Sequence, residues 1–319
     1  MGDLLVSVVC ITYNQEAFIA DAIESFLMQK TDFGYEVLIH DDASTDRTPD
    51  IIWRYTLEYP EIIKPIYQME NQYSKGVHVL DFYQAYAKGK YIAICEGDDY
   101  WTDPSKLQKQ VDYMEKHPDC SVCVHGAIKV HAVTHKKVGK VQPSKDSRDY
   151  TTQEVILGGG GLFATNSMLY PRVFSKPPQF YLNCSVGDYP LMIHLALCGR
   201  VHYMGDLMSA YRVGDVGSWT VQLIKACMDT KKEHVNRIEQ MLREVDAYTN
   251  KAYTTTIHKK MMKNRFDLLV CIGAYEEARS ETYIEQYKAL SLYEKLNIFI
   301  KQHLPKITML FKTIKRKYE

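Results

Sequence analysis

Three short apolar runs, LLVSVVCI at residues 4–11, YEVLIH at 35–40 and KYIAIC at 90–95, each end on a cluster of polar residues. Runs of this length, rich in Val and Ile and lacking strict alternation, read as strands buried on both faces, the kind that make up parallel sheets. Parallel neighbours need crossover connections, and the intervening segments supply them. Ile19, Ala22, Ile23, Phe26 and Leu27 recur at helical spacing, a second helix is expected over 47–57, an extended piece near 62–67 and a third helix around 78–88. This alternation predicts an α/β chain with a mostly parallel, Rossmann-like sheet and helices on both faces.

Beyond the third run, Asp103-Pro104 opens a helix over 104–117, with proline in the first turn where it is tolerated, and a strand follows near 121–130. Residues 131–153 are polar and weakly patterned, and read as a loop or excursion. Four glycines at 158–161 make a hinge before LFATNSMLY, expected as a strand, and then come a helix at 187–198 and short strands around 201–204 and 209–213. From about 219 the chain reads as helix, rich in Lys, Glu, Met and Leu.

Lys and Arg number 39, as do Asp and Glu, so no global positive field is present to hold nucleic acid by counterion release. No GxGxxG follows the first strand, which argues against a dinucleotide-dependent dehydrogenase. No run approaches the roughly 18–20 apolar residues that span a bilayer, and the N-terminus lacks a signal-peptide pattern. Most of the eight cysteines sit in apolar runs, which points to reduced, buried thiols and a cytoplasmic setting. Cys120 and Cys123 have CxxC spacing, but no second pair completes a tetrahedral metal set, so they read as core.

In an open parallel sheet, ligands bind beyond the carboxyl ends of the strands. Thr12-Tyr13-Asn14, Asp41-Asp42 and Glu96-Gly97-Asp98-Asp99 all fall there and should face one pocket. Adjacent carboxylates repel unless a cation or a set of donors intervenes, and oxygen-only ligation selects Mg²⁺ or Mn²⁺. The plainer reading of Asp98 and Asp99, that they cap a turn, stays open at this level.

The segments VSVVCITYNQEAFIADAIESFLMQ, YEVLIHDDASTDRT and AKGKYIAICEGDDYWTDPSKLQKQV resemble, in order and spacing, the family 2 glycosyltransferases of the GT-A fold, over about residues 5–215. The resemblance implies a GT-A domain over 1–218, with a nucleotide-sugar half to about residue 100 and an acceptor half from there to 218, followed by a helical C-terminal region over 219–319. It also implies an inverting transfer from a nucleotide diphosphate sugar, with uridine the favoured nucleotide, to a hydroxyl on a glycan or lipid-linked glycan, in surface polysaccharide synthesis.

Carried over residue by residue, the resemblance assigns nucleotide-sugar contacts to Thr12, Tyr13, Asn14, Asp42 and Asp98. Tyr13 can stack on a base or pack as a core aromatic, and Glu16 can face the same pocket or begin the helix. Asp99 is the expected direct ligand of Mn²⁺ or Mg²⁺, with Asp98 beside it and Glu96 in place of the family's more common aspartate. Asp188, opening a helix after Gly187, is the expected catalytic base, against the alternative of a helix cap. Arg212 is a candidate phosphate contact or an ordinary ion pair. Residues 71–76 (NQYSKG) hold only Lys75 and receive no firm role.

At the C-terminus, Leu304, Ile307, Phe311 and Ile314 recur at helical spacing among Lys301, Lys306, Lys312, Lys315, Arg316 and Lys317. Residues 296–319 can therefore lie on an anionic membrane, or pack on the body with a solvated basic end. Two other functions share parts of the pattern: a metal-dependent nucleotidyltransferase, which lacks its glycine-rich basic loop here, and a non-catalytic nucleotide-sugar binding module.

Overall fold

The computed structural model describes residues 2–77, 85–176, 178–184, 186–215 and 217–304. Residues 78–84 of the helix expected around 78–88 lie outside this set. Backbone packing divides the chain into two units, Met1–Gln222 and Leu223–Glu319.

The first unit begins with β1 (Leu4–Thr12), α1 (Ile19–Leu27), β2 (Gly34–Asp41), α2 (Thr48–Glu58), β3 (Ile63–Tyr67) and β4 (Tyr91–Ile94). β1 pairs in parallel with β2 on one side and β4 on the other, and β2 pairs in parallel with β3. The apolar runs set this arrangement. Val6, Val8 and Cys10 from β1 pack with Ile19, Ile23 and Phe26 in one fully buried cluster. Burial of that many aliphatic groups is the main favourable term for this half.

The rest of the unit comprises β5 (Tyr100–Trp101), α3 (Lys106–Lys116), β6 (Cys120–His131), β7 (Lys137–Val141), β8 (Arg148–Tyr150), α4 (Thr152–Gly158), β9 (Leu169–Pro171), α5 (Gln179–Leu182), α6 (Asp188–Cys198) and β10 (Arg200–Val213). Among the described residues, ten strands join one sheet in the order β3-β2-β1-β4-β9-β6-β10-β5, with β7 on β6 and β8 on β10. The long pairings, β1 with β2 and β6 with β10, are parallel, while the short pairings of β5, β7, β8 and β9 are antiparallel.

Three sequence expectations change here. Residues 131–153 carry β7 and β8 rather than only loop; β7 is largely exposed on both faces, so its side chains leave no alternation to detect. LFATNSMLY yields only the three-residue β9 after a 3₁₀ turn at Thr165–Ser167. The two strands expected at 201–204 and 209–213 are one irregular strand, β10, whose register against β6 shifts between Met204 and Leu207 and again before Ser209. Gly205 sits inside that break, and a Cβ there would overlap the carbonyl of Lys145.

After α7 (Trp219–Lys225), the second unit is built on α8 (Met228–Tyr248) and α9 (Thr254–Ile272), followed by α10 (Tyr275–Ala278), α11 (Ile284–Ala289) and α12 (Leu292–His303). Phe266, Leu269, Ala278 and Tyr283 form its buried cluster. Glu239, buried in α8, receives the Arg265 Nε and Nη2 donors from α9 at 2.5 and 2.6 Å.

Candidate active site

The strand order fixes where a ligand can enter. The chain runs outward from β1 through β2 to β3, then returns to the opposite side of β1 as β4. Such a reversal opens a crevice at the carboxyl ends of the two flanking strands. β1 ends at Thr12 and β4 at Ile94, just before the acidic loop.

The loops after β1 and β2 are laced together. Asn14 N–H donates to Ser44 Oγ at 2.9 Å, and Asn14 Oδ1 accepts from Thr45 N–H at 2.7 Å. Gln15 N–H donates to Thr48 Oγ1 at 2.8 Å. Glu16 N–H donates to Asp46 Oδ2 at 3.0 Å, and Glu16 Oε2 accepts from Arg47 N–H at 2.9 Å. Asn14 and Ala43 both adopt left-handed backbone, at φ 52° and 62°. Asn14 and Glu16, expected as ligand contacts, thus spend these side-chain oxygens on holding the second loop at the start of α2. Tyr13 is exposed at the same turn, and Thr12 is buried with an Oγ1 that has no hydrogen-bond partner among the described residues.

Asp42 is buried, and its two carboxylate oxygens accept from Gln72 N–H at 2.7 Å and Tyr73 N–H at 3.1 Å. Asn71 Nδ2 donates to the Asp42 carbonyl at 3.1 Å. The NQYSKG stretch, which carried no firm expectation, is therefore anchored to Asp42. A cavity of about 360 Å³ opens beside these loops, lined by Asp41, Ala43, Ser44, Thr45, Tyr67 and Met69. A larger cavity of about 440 Å³ lies away from the strand ends, between α1 and α2, and contains none of the expected residues.

In the acidic loop the two aspartates take different places. Asp99 is 1% exposed; its Oδ1 accepts from Arg212 N–H at 2.7 Å and its Oδ2 from Asn166 Nδ2 at 2.8 Å. Asn166 is fixed in turn by Ser209 Oγ, which donates to its Oδ1 at 2.7 Å. Glu96 and Asp98 keep part of their surface open. The expectation that Asp99 directly ligates a metal therefore meets a carboxylate already held by two internal donors. Asn166 and Ser209 carried no sequence signal, since neither lies within a recognisable motif.

Arg212, a candidate phosphate contact or ion pair, is paired within the fold. It is 5% exposed, its Nη1 donates to the Asp98 carbonyl at 2.7 Å, and its Nη2 pairs with Asp21. Its guanidinium lies 5.0 Å from the Phe18 ring centre and 4.5 Å from that of Tyr100. The arginine thereby holds the acidic loop through the Asp98 carbonyl. Trp101 packs under the same loop, donating to the Asn166 carbonyl at 2.9 Å with Lys106 Nζ 3.8 Å from its ring centre.

Asp188 opens α6, where Tyr189 N–H donates to its Oδ1 at 2.7 Å. A Cβ built on Gly160, in the glycine run, would lie 3.3 Å from Asp188 Oδ2, so this run passes directly over the carboxylate. Burial pushes the Asp188 carboxyl above its usual range. Burial, then Asp98 and Asp188, push Glu96 up to about 8. Burial also raises Asp98, which the Arg212 charge lowers and Asp215 raises. The donor-side loop and Asp188 therefore share one electrostatic environment, and it is short of positive charge.

That deficit suits a divalent cation, and oxygen donors suit Mg²⁺ or Mn²⁺. Among the described residues, no group of three or more His, Cys, Asp or Glu side chains is placed to hold an ion alone. Glu96 and Asp98 are the residues that would hold such an ion, and its remaining ligands would have to come from a bound diphosphate or water.

The family model described as glycosyl transferase family 2 matches residues 7–175. An uncharacterised protein of Mycobacterium tuberculosis is 39% identical over 215 residues, 67% of this chain and 60% of that protein. The chain thus spans less than two thirds of that relative's length. The Escherichia coli UDP-Glc:alpha-D-GlcNAc-diphosphoundecaprenol beta-1,3-glucosyltransferase WfaP is 38% identical over 112 residues, 35% of this chain and 41% of that one. The mannosyltransferase PcManGT from Pyrobaculum calidifontis, solved with GDP-Man and Mn²⁺, superposes with a TM-score of 0.57 at 15% identity, covering 93% of this chain and 83% of that chain. With its parallel strands meeting at a switch point and the family model spanning more than half of its length, the chain belongs to glycosyl transferase family 2 and has the GT-A fold.

Proposed function

We propose that this chain is an inverting glycosyltransferase that moves a sugar from a nucleotide diphosphate donor, with uridine as the nucleotide, to a hydroxyl of a glycan or lipid-linked glycan acceptor in surface polysaccharide synthesis. The observation that supports this reading is the acidic loop that follows β4 at the switch point beside β1, in a chain that belongs to glycosyl transferase family 2. The uridine and the lipid-linked acceptor rest on the likeness to WfaP, whose name includes both UDP-Glc and a diphosphoundecaprenol.

Asp98, with Glu96, holds the cation in this reading, because these two residues are half-buried at the loop while Asp99, fully buried, fixes it from inside. The bound Mn²⁺ or Mg²⁺ would neutralise charge developing on the departing diphosphate. Thr12 and Tyr13 meet the nucleotide, Tyr13 by stacking, and Asp42 shapes its pocket through residues 71–73. Asp188 takes the acceptor hydroxyl's proton as its oxygen bonds to the anomeric carbon, while the bond from that carbon to the diphosphate breaks on the opposite face.

The test separates binding from chemistry. Asp188→Asn should keep metal-dependent binding of the nucleotide sugar, measured by calorimetry, and lose at least ~100-fold in transfer to acceptor. Transfer at the wild-type rate by Asp188→Asn would remove Asp188 as the base. Absence of metal-linked uptake across a panel of nucleotide sugars would remove the whole reading.

A further inference from the structure

The loop after β1 and the acidic loop after β4 meet at Gly97. This glycine is buried, and its N–H donates to the Ile11 carbonyl at 2.8 Å. A Cβ built on it would lie 2.4 Å from Gln15 Oε1 and 2.9 Å from both Cβ and Oγ1 of Thr12. Side chains in folded proteins do not approach so closely, and Thr12 Cβ is bonded to the backbone and cannot swing aside. Glycine is therefore what lets the Gln15 amide lie against the acidic loop. The backbone of Gln15 is fixed separately, its N–H donating to Thr48 Oγ1 at 2.8 Å and its carbonyl accepting from Phe18 and Ile19 N–H, both at 2.9 Å.

From this position the Gln15 side chain hydrogen-bonds the Asp98 carboxylate. Burial raises the Asp98 carboxyl, while its own N–H, the Arg212 charge and the Gln15 side chain draw it down by favouring the ionised form. Arg212 Nη1 holds the carbonyl of the same residue at 2.7 Å. The arginine thus sets the Asp98 backbone and the glutamine meets its side chain. The orientation of the amide leaves Gln15 Oε1 buried with no hydrogen-bond partner among the described residues. Turning the amide over would not relieve this, because it would set that oxygen against a carboxylate that can only accept.

We propose that Gln15 is a positioning residue for the cation site, holding the Asp98 carboxylate in place for the divalent ion and so tying the loop that meets the nucleotide to the loop that holds the metal. The inference rests on the reading that Asp98, with Glu96, holds the cation. The experiment is calorimetric titration of Mn²⁺ into the full chain saturated with UDP, and in parallel with GDP, for wild type, Gln15→Leu, Gly97→Ala and the double variant. Leucine keeps most of the side-chain bulk without the amide, and alanine at 97 pushes the amide away. Each single substitution should weaken Mn²⁺ binding by about tenfold. The double variant should bind little more weakly than either single one, because both break the same contact. Without metal or nucleotide, Gln15→Leu should melt close to wild type.

A Gln15→Leu protein that binds Mn²⁺ as wild type does overturns the inference and leaves the assignment of Asp98 standing. So does a double variant whose loss is the product of the two single losses, since the two positions would then act independently. A wild-type chain that takes up no Mn²⁺ with either nucleotide overturns the cation site itself, and the role of Gln15 with it.

Discussion

The two aspartates of the acidic loop are chemically identical and adjacent in sequence, yet the fold uses them differently. Asp99 is held by Arg212 N–H and Asn166 Nδ2, which lie 113 and 67 residues away, while Asp98 keeps open surface. Asn166 is thus a positioning residue for the loop. Asn166→Ala should leave one buried carboxylate oxygen without its donor, costing about 1–3 kcal/mol in stability, and should raise several-fold the Mn²⁺ concentration needed for half-maximal transfer. Asp98→Ala should raise it further. A Mn²⁺ titration unchanged by Asn166→Ala, alongside a lowered melting temperature, would reduce Asn166 to a purely structural role. The loop itself is legible from KYIAIC followed by Glu96-Gly97-Asp98-Asp99, but which aspartate is tied inside is not, because distant donors decide it. Arg212 is a similar case: an arginine on a late strand shows its charge in the sequence, whereas the Asp21 partner and the flanking Phe18 and Tyr100 rings that keep it inside come from other elements.

At the level of elements, continuous apolar runs and 3.6-residue spacing identify β1, β2, β4, α1 and α6, since burial on defined faces leaves a pattern. β7 lacks such a pattern because backbone hydrogen bonds to β6 hold it while its side chains face water. The bonds between the β1 and β2 loops are equally silent, as Asn14, Glu16 and Asp46 look the same whether they face a ligand or one another. In the second unit, α8 and α9 are joined by Glu239 and Arg265. Removing a partner from a fully buried pair costs about 3–5 kcal/mol. Arg265 is 45% exposed on its side chain, and Arg243 already lies 3.6 Å from Glu239, so both water and a second cation can compensate. Arg265→Ala should therefore cost about 2 kcal/mol, less than the buried limit. Urea unfolding monitored on the second unit checks this, and an unaltered midpoint would mean that the pair contributes nothing to stability.

For the molecule as a whole, net neutrality conceals a concentration of negative charge at the switch point, where Glu96, Asp98, Asp99 and Asp188 gather and the buried Arg212 guanidinium offsets part of the charge at Asp98. Burial comes first among the causes that raise each of these carboxyls, and mutual repulsion adds to it for Glu96 and Asp99. A carboxyl with a raised folded value favours the protonated native state. Its contribution to stability is complete below the ordinary carboxylate range and is lost as pH rises through the folded value. For Glu96 the window runs from 4.5, its ordinary value, to about 8. Metal-free protein should therefore melt at progressively lower temperature as pH rises across that window. A divalent cation binds the ionised carboxylates, so Mn²⁺ should raise the melting temperature more at the upper end of the window than at the lower, and the two curves should diverge with pH. Melting curves with and without Mn²⁺, taken at fixed ionic strength across the window, measure this directly. Parallel curves would mean that the acidic cluster is neutralised from within the fold and does not await a cation.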